Sequence, residues 1–294
     1  MKRLTDNVTL LGDDQFHFYL VGQKEAALVE CGTRAAVKVF EEQWQELPSK
    51  PHVKFLLALH SHFDHICGVP LLKEMFPDAQ LVASHAASKL MEKEKLVREN
   101  FRNDVIVTEN YLEKGLLTIS PPIDLDSRIV IDLPVGEGDT LLIEPGLELK
   151  IIDAPGHSNC SIAAYLEKDQ VMFVSDAVGG ISSQGVITPM FFQGYEIYMQ
   201  TIDKLKSYPT KIVATAHGVL ASGSSSEELY GPFSAAARKV SHFILEELAA
   251  GADEGALAGL LFDRYISDGF KNYPVEMMQG IMQILIRRSK ERTT

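Results

Sequence analysis

Apolar residues in this chain occur in short, nearly unbroken runs that end at a histidine, an aspartate or a Gly/Pro turn. Val53-Lys54-Phe55-Leu56-Leu57-Ala58-Leu59, Glu148-Leu149-Lys150-Ile151-Ile152, Val171-Met172-Phe173-Val174 and Lys211-Ile212-Val213-Ala214-Thr215 each have the length of a strand. Runs apolar on both alternating faces predict strands covered on both sides rather than half-exposed ones. Near the N-terminus, Phe16–Val21 and Ala26–Glu30 flank Gly22-Gln23-Lys24-Glu25 and predict a hairpin, with His17 as a packed strand residue. Amphipathic spacing predicts helices over 35–47, 69–75 and 195–205, the last apolar at 197, 198, 202 and 205. After residue 220 the pattern turns helical, over Glu227–Ala250, Asp253–Ile266 and Pro274–Arg292. The last of these has Pro in its first turn and Val275, Met278, Met282, Leu285 and Ile286 on one face.

Two segments interrupt this regular order. Ala86–Leu117 carries Lys89, Lys93, Lys95, Arg98 and Arg102 among Glu92, Glu94 and Glu99, which predicts one charged helix with a solvated face. Its alternative reading is a cover over a cleft, or a contact for an anionic substrate. Ala177–Tyr195 is Gly-rich at first and apolar afterwards, so Gly179, Met190, Phe191, Phe192 and Tyr195 become candidates for a pocket wall. Pro121, Pro122, Gly136 and Gly138 mark a loop before the strand at Glu148.

What stands at the ends of the four strands carries the chemistry. His60-Ser61-His62-Phe63-Asp64-His65 follows the first, His157 the second, Asp176 the third and His217 the fourth. Neutral imidazoles bind zinc, iron or manganese, and a carboxylate can bridge two cations. Two cations roughly 3.5–4 Å apart can share one activated hydroxide, so the set reads as metal-assisted hydrolysis. No serine with an adjacent base stands out as a rival nucleophile.

His60-x-His62-x-Asp64-His65, followed in order by His157, Asp176 and His217, resembles the signature of the metallo-β-lactamase superfamily. The resemblance implies an α/β fold, an αββα sandwich over 1–220 with a helical extension over 221–294 packed on it. It implies that His60, His62 and His157 hold one metal, that Asp64, His65 and His217 hold the other, and that Asp176 bridges them. Zinc is the first expectation for the two divalent ions, with iron and manganese as alternatives, and Asp64 could also orient the attacking hydroxide. Among the branches, flavodiiron proteins have Glu where this chain has His62, and quorum-quenching lactonases have Tyr where it has Gly179. Glu30-Cys31-Gly32, the single Gly68 after His65, the Ser175–Gly179 turn and the helix ending at Tyr208-Pro209 look closest to thioesterases of the quinolone-signal response type. The expected function is therefore hydrolysis of a thioester, acyl-CoA-like, by a hydroxide shared between the metals. The alternatives are a lactonase or glyoxalase II-like hydrolase, a regulatory protein that retains the metal site, and an iron-dependent sulfur dioxygenase.

Composition narrows the partners. With 28 Lys and Arg against 40 Asp and Glu, the formal net charge of −12 argues against affinity for phosphate backbones. No apolar run reaches the roughly 18 residues of a membrane span, and Met1–Asp6 is not followed by a signal-like apolar stretch. A cytoplasmic protein with a small-molecule substrate is expected, with no nucleic acid or membrane partner and homo-oligomerisation left open. Cys31, Cys67 and Cys160, odd in number and outside any C-x-x-C pair, are expected to be reduced, and Cys67 and Cys160, which lie near ligand positions, to pack in the core or beside the site rather than ligate.

Overall fold

Period-two alternation sorts each apolar strand between two hydrophobic clusters. The computed structural model describes residues 1–182, 184–266 and 272–292; Ser183, within the loop singled out above, and the parts of the extension at 267–271 and 293–294 lie outside the described residues. Its helices and strands in chain order are β1 (Lys2–Arg3), β2 (Val8–Gly12), β3 (His17–Val21), β4 (Glu25–Val29), α1 (Arg34–Glu46), β5 (His52–Leu57), α2 (Phe63–Ile66), α3 (Val69–Met75), β6 (Gln80–Ser84), α4 (His85–Met91) and α5 (Glu94–Glu113). They continue with β7 (Leu133–Val135), β8 (Thr140–Glu144), β9 (Leu147–Asp153), β10 (Ile162–Leu166), β11 (Val171–Ser175), β12 (Gly180–Ile181), β13 (Ile187–Thr188), α6 (Tyr195–Lys206), β14 (Ile212–Thr215), β15 (Ala221–Ser222), α7 (Ser226–Ala249), α8 (Glu254–Tyr265) and α9 (Val275–Lys290).

Strands β1 to β7 form one sheet in sequence order, and a second sheet runs β15-β14-β11-β10-β9-β8. The expected hairpin is present, with Tyr19 opposite Val29 and Val21 opposite Ala27. Phe55, Leu57 and Leu59 face the cluster between the sheets, with Leu149, Ile151, Val171 and Phe173 from the other side. Leu56 and Ala58 face outward into a second cluster with α1 and α3, as Met172 and Val174 do with α6 and α7. Sandwiching between another sheet and a helix layer explains why these runs are apolar on both faces. The four layers are those of an αββα sandwich.

The C-terminal helices share the outer cluster. Leu229, Phe233, Leu261, Met282 and Ile286 belong to the same cluster as Ile202 and Leu205 of α6. On α9, Met278, Met282, Leu285 and Ile286 are buried as their spacing predicts, whereas Val275, at the first turn, is 54% exposed. On α6, Ile197 is likewise exposed while Tyr198, Ile202 and Leu205 are buried. The charged segment is two helices, not one. Ser84 caps α4 by accepting from the Ala87 amide, and the chain breaks at Glu92-Lys93 before α5 starts. All eight of its charges singled out above are exposed. Among the described residues no helix is long and apolar enough to cross a membrane.

Candidate metal centre

Every candidate ligand leaves a strand at the same edge of the sandwich. β11 and β14 are parallel, with Ser175 opposite Thr215, so Asp176 and His217 emerge side by side. β9 and β11 both pair antiparallel with β10, so His157, after the turn that ends β9, reaches the same edge. The His60–His65 segment comes from β5 of the other sheet, and the Ile162 amide donates to the Leu59 carbonyl across the sandwich at 2.9 Å. Gly156 has φ +128°, and a β-carbon there would lie 2.5 Å from the Tyr198 Cα. Only glycine lets the turn before His157 come this close to α6.

Two clusters result. His60 Nε2 lies 3.2 Å from His62 Nδ1, and His157 Nε2 lies 3.2 and 2.9 Å from these two atoms. Three ring nitrogens cannot all be joined pairwise by hydrogen bonds, because each pair needs its own proton. Their separations match the edges of a tetrahedron, about 3.3 Å when each nitrogen is about 2.0–2.1 Å from one central zinc. In the second cluster, His65 Nε2 is 3.3 Å from Asp64 Oδ2, and His217 Nε2 is 3.5 Å from the same oxygen. Asp176 stands between the two. Its Oδ2 is 3.4 Å from His157 Nε2 and 3.7 Å from His60 Nε2 on one side, and 3.3 Å from His65 Nε2 on the other. His65 Nε2 and Asp176 Oδ1 are buried without a hydrogen-bond partner in the described structure. Such atoms are costly to bury unless a cation meets them, so the donor set fits two divalent ions.

The far side of most rings is held. His65 Nδ1 meets the buried Glu30 Oε2 at 2.9 Å, His60 Nδ1 meets Ser175 Oγ at 3.3 Å, and His217 Nδ1 bonds the Gln15 carbonyl. A proton on each Nδ1 leaves Nε2 as a lone-pair donor facing the cluster. Electrostatics sort the imidazoles further. Burial, aided by neighbouring imidazoles, lowers His60 and His62, and brings His157 down to about 3, so these three stay neutral. Burial also acts against a charged His65, but Asp64, Glu30 and Asp176 outweigh it and raise that ring well above the usual range, so a cation bound at its Nε2 would have to displace a proton there. Asp64 and Asp176 are held well below the carboxylate range: burial opposes ionisation, and the surrounding histidines overcome it.

Comparison with known proteins matches the fold and the motif. The family profile described as the metallo-beta-lactamase superfamily matches residues 11–217. This chain belongs to the metallo-β-lactamase superfamily. It is 23% identical over 251 residues to a metallo-beta-lactamase fold-containing protein of Sulfurisphaera tokodaii, covering 85% of this chain and 86% of that one. A solved superfamily structure from Sulfolobus tokodaii superposes with a TM-score of 0.58 at 17% identity, over 98% of this chain and 100% of the other. Over 56% of its length this chain is similar to two proteins named for their activities. One is a hydroxyacylglutathione hydrolase of Prochlorococcus marinus, 27% identical, of which it spans 51%. The other is an atrochrysone carboxyl ACP thioesterase of Cryptosporiopsis, 23% identical, of which it spans 37%.

Within this superfamily fold, five of the seven metal-ligand candidates, His62, Asp64, His157, Asp176 and His217, form the floor of a cavity of about 400 Å³. Met190 and Phe192 line it, and the Phe192 ring centroid lies 4.9 Å from that of His157. The other three pocket candidates stand elsewhere, which corrects the expectation of a wall running along the whole loop. Phe191 is fully buried against Tyr195 and Tyr198, at the centre of a tight turn in which the Phe192 amide donates to the Met190 carbonyl at 2.9 Å. Tyr195 starts α6 and lies under the Arg292 guanidinium, at 4.1 Å. Gly179 has φ +92°, and a β-carbon there would lie 2.4 Å from the Thr188 carbonyl oxygen. The loop geometry thus forbids any side chain where the lactonases have their tyrosine. The charged helix meets the cavity through the uncharged Asn100 and Asn103.

The opposite wall comes from α9, through Met277, Met278, Ile281 and Met282, with Arg287 and Arg288 further along. None of these was a candidate from sequence. Tyr273, just before α9, donates its hydroxyl hydrogen to Asp64 Oδ2 at 2.8 Å. The three cysteines are free and buried. Cys160 Sγ contacts the hydroxyls of Ser61 and Ser158 at 3.2 Å, and His17 Nδ1 bonds the Thr215 carbonyl at 2.8 Å.

Proposed function

We propose that this chain is a dinuclear metal-dependent hydrolase of an ester-like bond on an apolar acyl group, with a thioester as the first substrate class. One observation carries the reading: a carboxylate oxygen, Asp176 Oδ2, lies within 3.3–3.7 Å of imidazole nitrogens from both clusters, at the floor of a cavity walled by methionine, isoleucine and phenylalanine. His60, His62 and His157 would hold one ion and Asp64, His65 and His217 the other, with Asp176 shared. Zinc is proposed first; this His and carboxylate set also accepts iron and manganese. Bound there, two divalent cations supply hydroxide at neutral pH and positive charge for a carbonyl oxygen. The chain's own residues do the rest. Met190, Phe192 and the α9 methionines desolvate and orient the acyl group, while Glu30 and Ser175 fix the imidazoles. The names of the two relatives, an acylglutathione hydrolase and a thioesterase, support the thioester. A thiolate also departs without a strong acid. A second reading, oxygen esters or lactones, is favoured by the Tyr273 hydroxyl in the cavity.

Elemental analysis of protein purified without chelator, with a matched panel of thioesters, oxygen esters, lactones and phosphodiesters, tests the proposal. About two ions per chain and fastest turnover of thioesters are expected, as the shared-hydroxide chemistry requires. Folded protein with no metal sinks the catalytic reading. Lactones outrunning thioesters would replace the substrate class. Oxygen uptake with a persulfide would replace hydrolysis by redox chemistry.

A further inference from the structure

Among the described protic groups that line the cavity outside the ligand set, Tyr273 is the one bonded to a ligand candidate. Tyr273 is supplied by the C-terminal extension, and its hydroxyl hydrogen-bonds the Asp64 oxygen that also faces His65 Nε2 and His217 Nε2, at 3.3 and 3.5 Å. The hydroxyl thus bonds the same carboxylate oxygen that faces the cluster histidines, and its residue lines the cavity. Its ring is 6% exposed and packs edge-on against Phe63, with Phe16 at 6.1 Å. The preceding residue is tethered as well: Asn110 Nδ2 donates to the Asn272 carbonyl at 2.8 Å, Lys114 Nζ donates to its side-chain oxygen, and Asn272 Nδ2 donates to Gln15 Oε1. Gln15 is the residue whose carbonyl orients His217. Three other donors lining the cavity are already engaged. Asn100 Nδ2 serves the Ser61 carbonyl at 3.1 Å, Thr188 Oγ1 the Tyr265 carbonyl at 3.0 Å, and Arg288 the Phe192 carbonyl and Glu291.

We propose that the Tyr273 hydroxyl is the hydrogen-bond donor to the carbonyl oxygen of the scissile ester-like group, so that the extension contributes a catalytic group to the superfamily site. This rests on the hydrolase reading above and adds a residue to it. A hydroxide derived from water bonds to the carbonyl carbon, and the C=O π pair moves onto oxygen. Tyr273 hydrogen-bonds that growing charge and keeps its proton. Collapse restores the C=O bond and breaks the bond to sulfur or oxygen, which leaves with its electron pair. One O–H cannot serve two acceptors at full strength. The resting bond to Asp64 therefore stores the hydroxyl at the site until the substrate oxygen takes it over. Gly179 cannot supply such a donor, for the steric reason given above.

The test is Tyr273→Phe in the full chain, which keeps the ring and removes only the hydroxyl. For N-acetylcysteamine thioesters and matched phenyl esters, kcat should fall about 10²–10³-fold, the size of losing one donor to a developing oxyanion, with KM changed less than about threefold. Metal content and Tm should equal those of the parent. A second readout needs no turnover. Calorimetric affinity for an alkylphosphonate monoester, a tetrahedral anionic stand-in for the attacked carbonyl, should fall at least about tenfold, while affinity for the matching carboxylate product stays within about threefold. Unchanged kcat and phosphonate affinity would overturn the assignment. So would a kcat loss that tracks loss of metal, which would make Tyr273 only a positioning residue for Asp64. If Tyr273→Phe proves unstable, Asn272→Ala, which loosens the tether, must lower phosphonate affinity without metal loss. Should the parent cleave nothing in the panel, the hydrolase reading fails by itself, and the phosphonate comparison still decides whether the hydroxyl recognises a tetrahedral oxyanion.

Discussion

Glu30 and Ser175 hold left-handed backbone angles, φ 73° and 50°, that residues other than glycine rarely adopt. Each such conformation costs on the order of 1–3 kcal/mol and persists only where the surroundings impose it. Here both side chains end on the candidate ligands, Glu30 on His65 and Ser175 between the Nδ1 atoms of His60 and His65. Two of the three non-glycine residues with left-handed angles among the described residues thus support imidazoles; the third, Gln170, ends the turn before β11. Glu30→Ala should weaken metal binding by about 10–100-fold, the usual effect of removing an outer-shell carboxylate, read by competition with a chromophoric chelator. Unchanged affinity would mean that packing alone orients His65. The shared carboxylate makes a stronger claim. Asp176→Ala should lose both ions, whereas His217→Ala should lose chiefly one, because the Asp176 carboxylate faces ligand nitrogens of both clusters; equal losses by elemental analysis would argue against a bridge. The seven ligand candidates were legible in the sequence because each is tied to a strand end by a short local motif. Glu30 was not, since neither its backbone angle nor its partner 35 residues away leaves a local trace.

At the scale of elements, the loop after Asp176 separates two neighbouring rings by function. Phe192 lines the cavity beside His157, and Phe191 is packed under α6. Phe192→Ala should raise KM or shift acyl preference with metal content and kcat little changed, because a contact made equally in ground and transition states is uniform binding. Phe191→Ala should instead destabilise by about 3–5 kcal/mol, as large-to-small core changes do, in chemical denaturation. The reverse pattern would exchange the two assignments. Apolar composition pointed to this loop, but a segment without helical or strand period cannot say which of its rings faces inward. The same limit hid the break between α4 and α5. Charges run through Glu92, Lys93 and Glu94 without interruption, and the Ser84 cap leaves no hydrophobic signal. By contrast, α9 was legible from its period, and yet its second face, with Met277 and Ile281 on the cavity, was not. A burial pattern says that a helix packs and leaves its partner unnamed.

For the molecule as a whole, the boundary near residue 220 is one of sequence pattern more than of packing. The family profile ends at residue 217, where the last ligand candidate stands. The outer hydrophobic cluster does not end there. It joins Tyr198, Ile202 and Leu205 of α6 to Leu229, Tyr230 and Phe233 of α7, and on to Leu261, Met282 and Ile286. Removing the extension would expose these α6 side chains, and burying one large apolar side chain is worth about 1.5–3 kcal/mol. Losses over several of them reach the whole stability of a typical domain, about 5–15 kcal/mol. The full chain should therefore unfold in one calorimetric transition, with equal calorimetric and van't Hoff enthalpies, both in chelator and with metal restored. Added metal should move that transition upward as a unit, since ligands bound only by the folded state stabilise everything coupled to it. A chain ending at residue 220 should be insoluble or lack a cooperative transition. Two resolved transitions in the full chain, or a truncated chain that melts cooperatively and retains its metal, would show the extension to be a separable cap, and Tyr273 would then reach Asp64 across an interface between independently folding units.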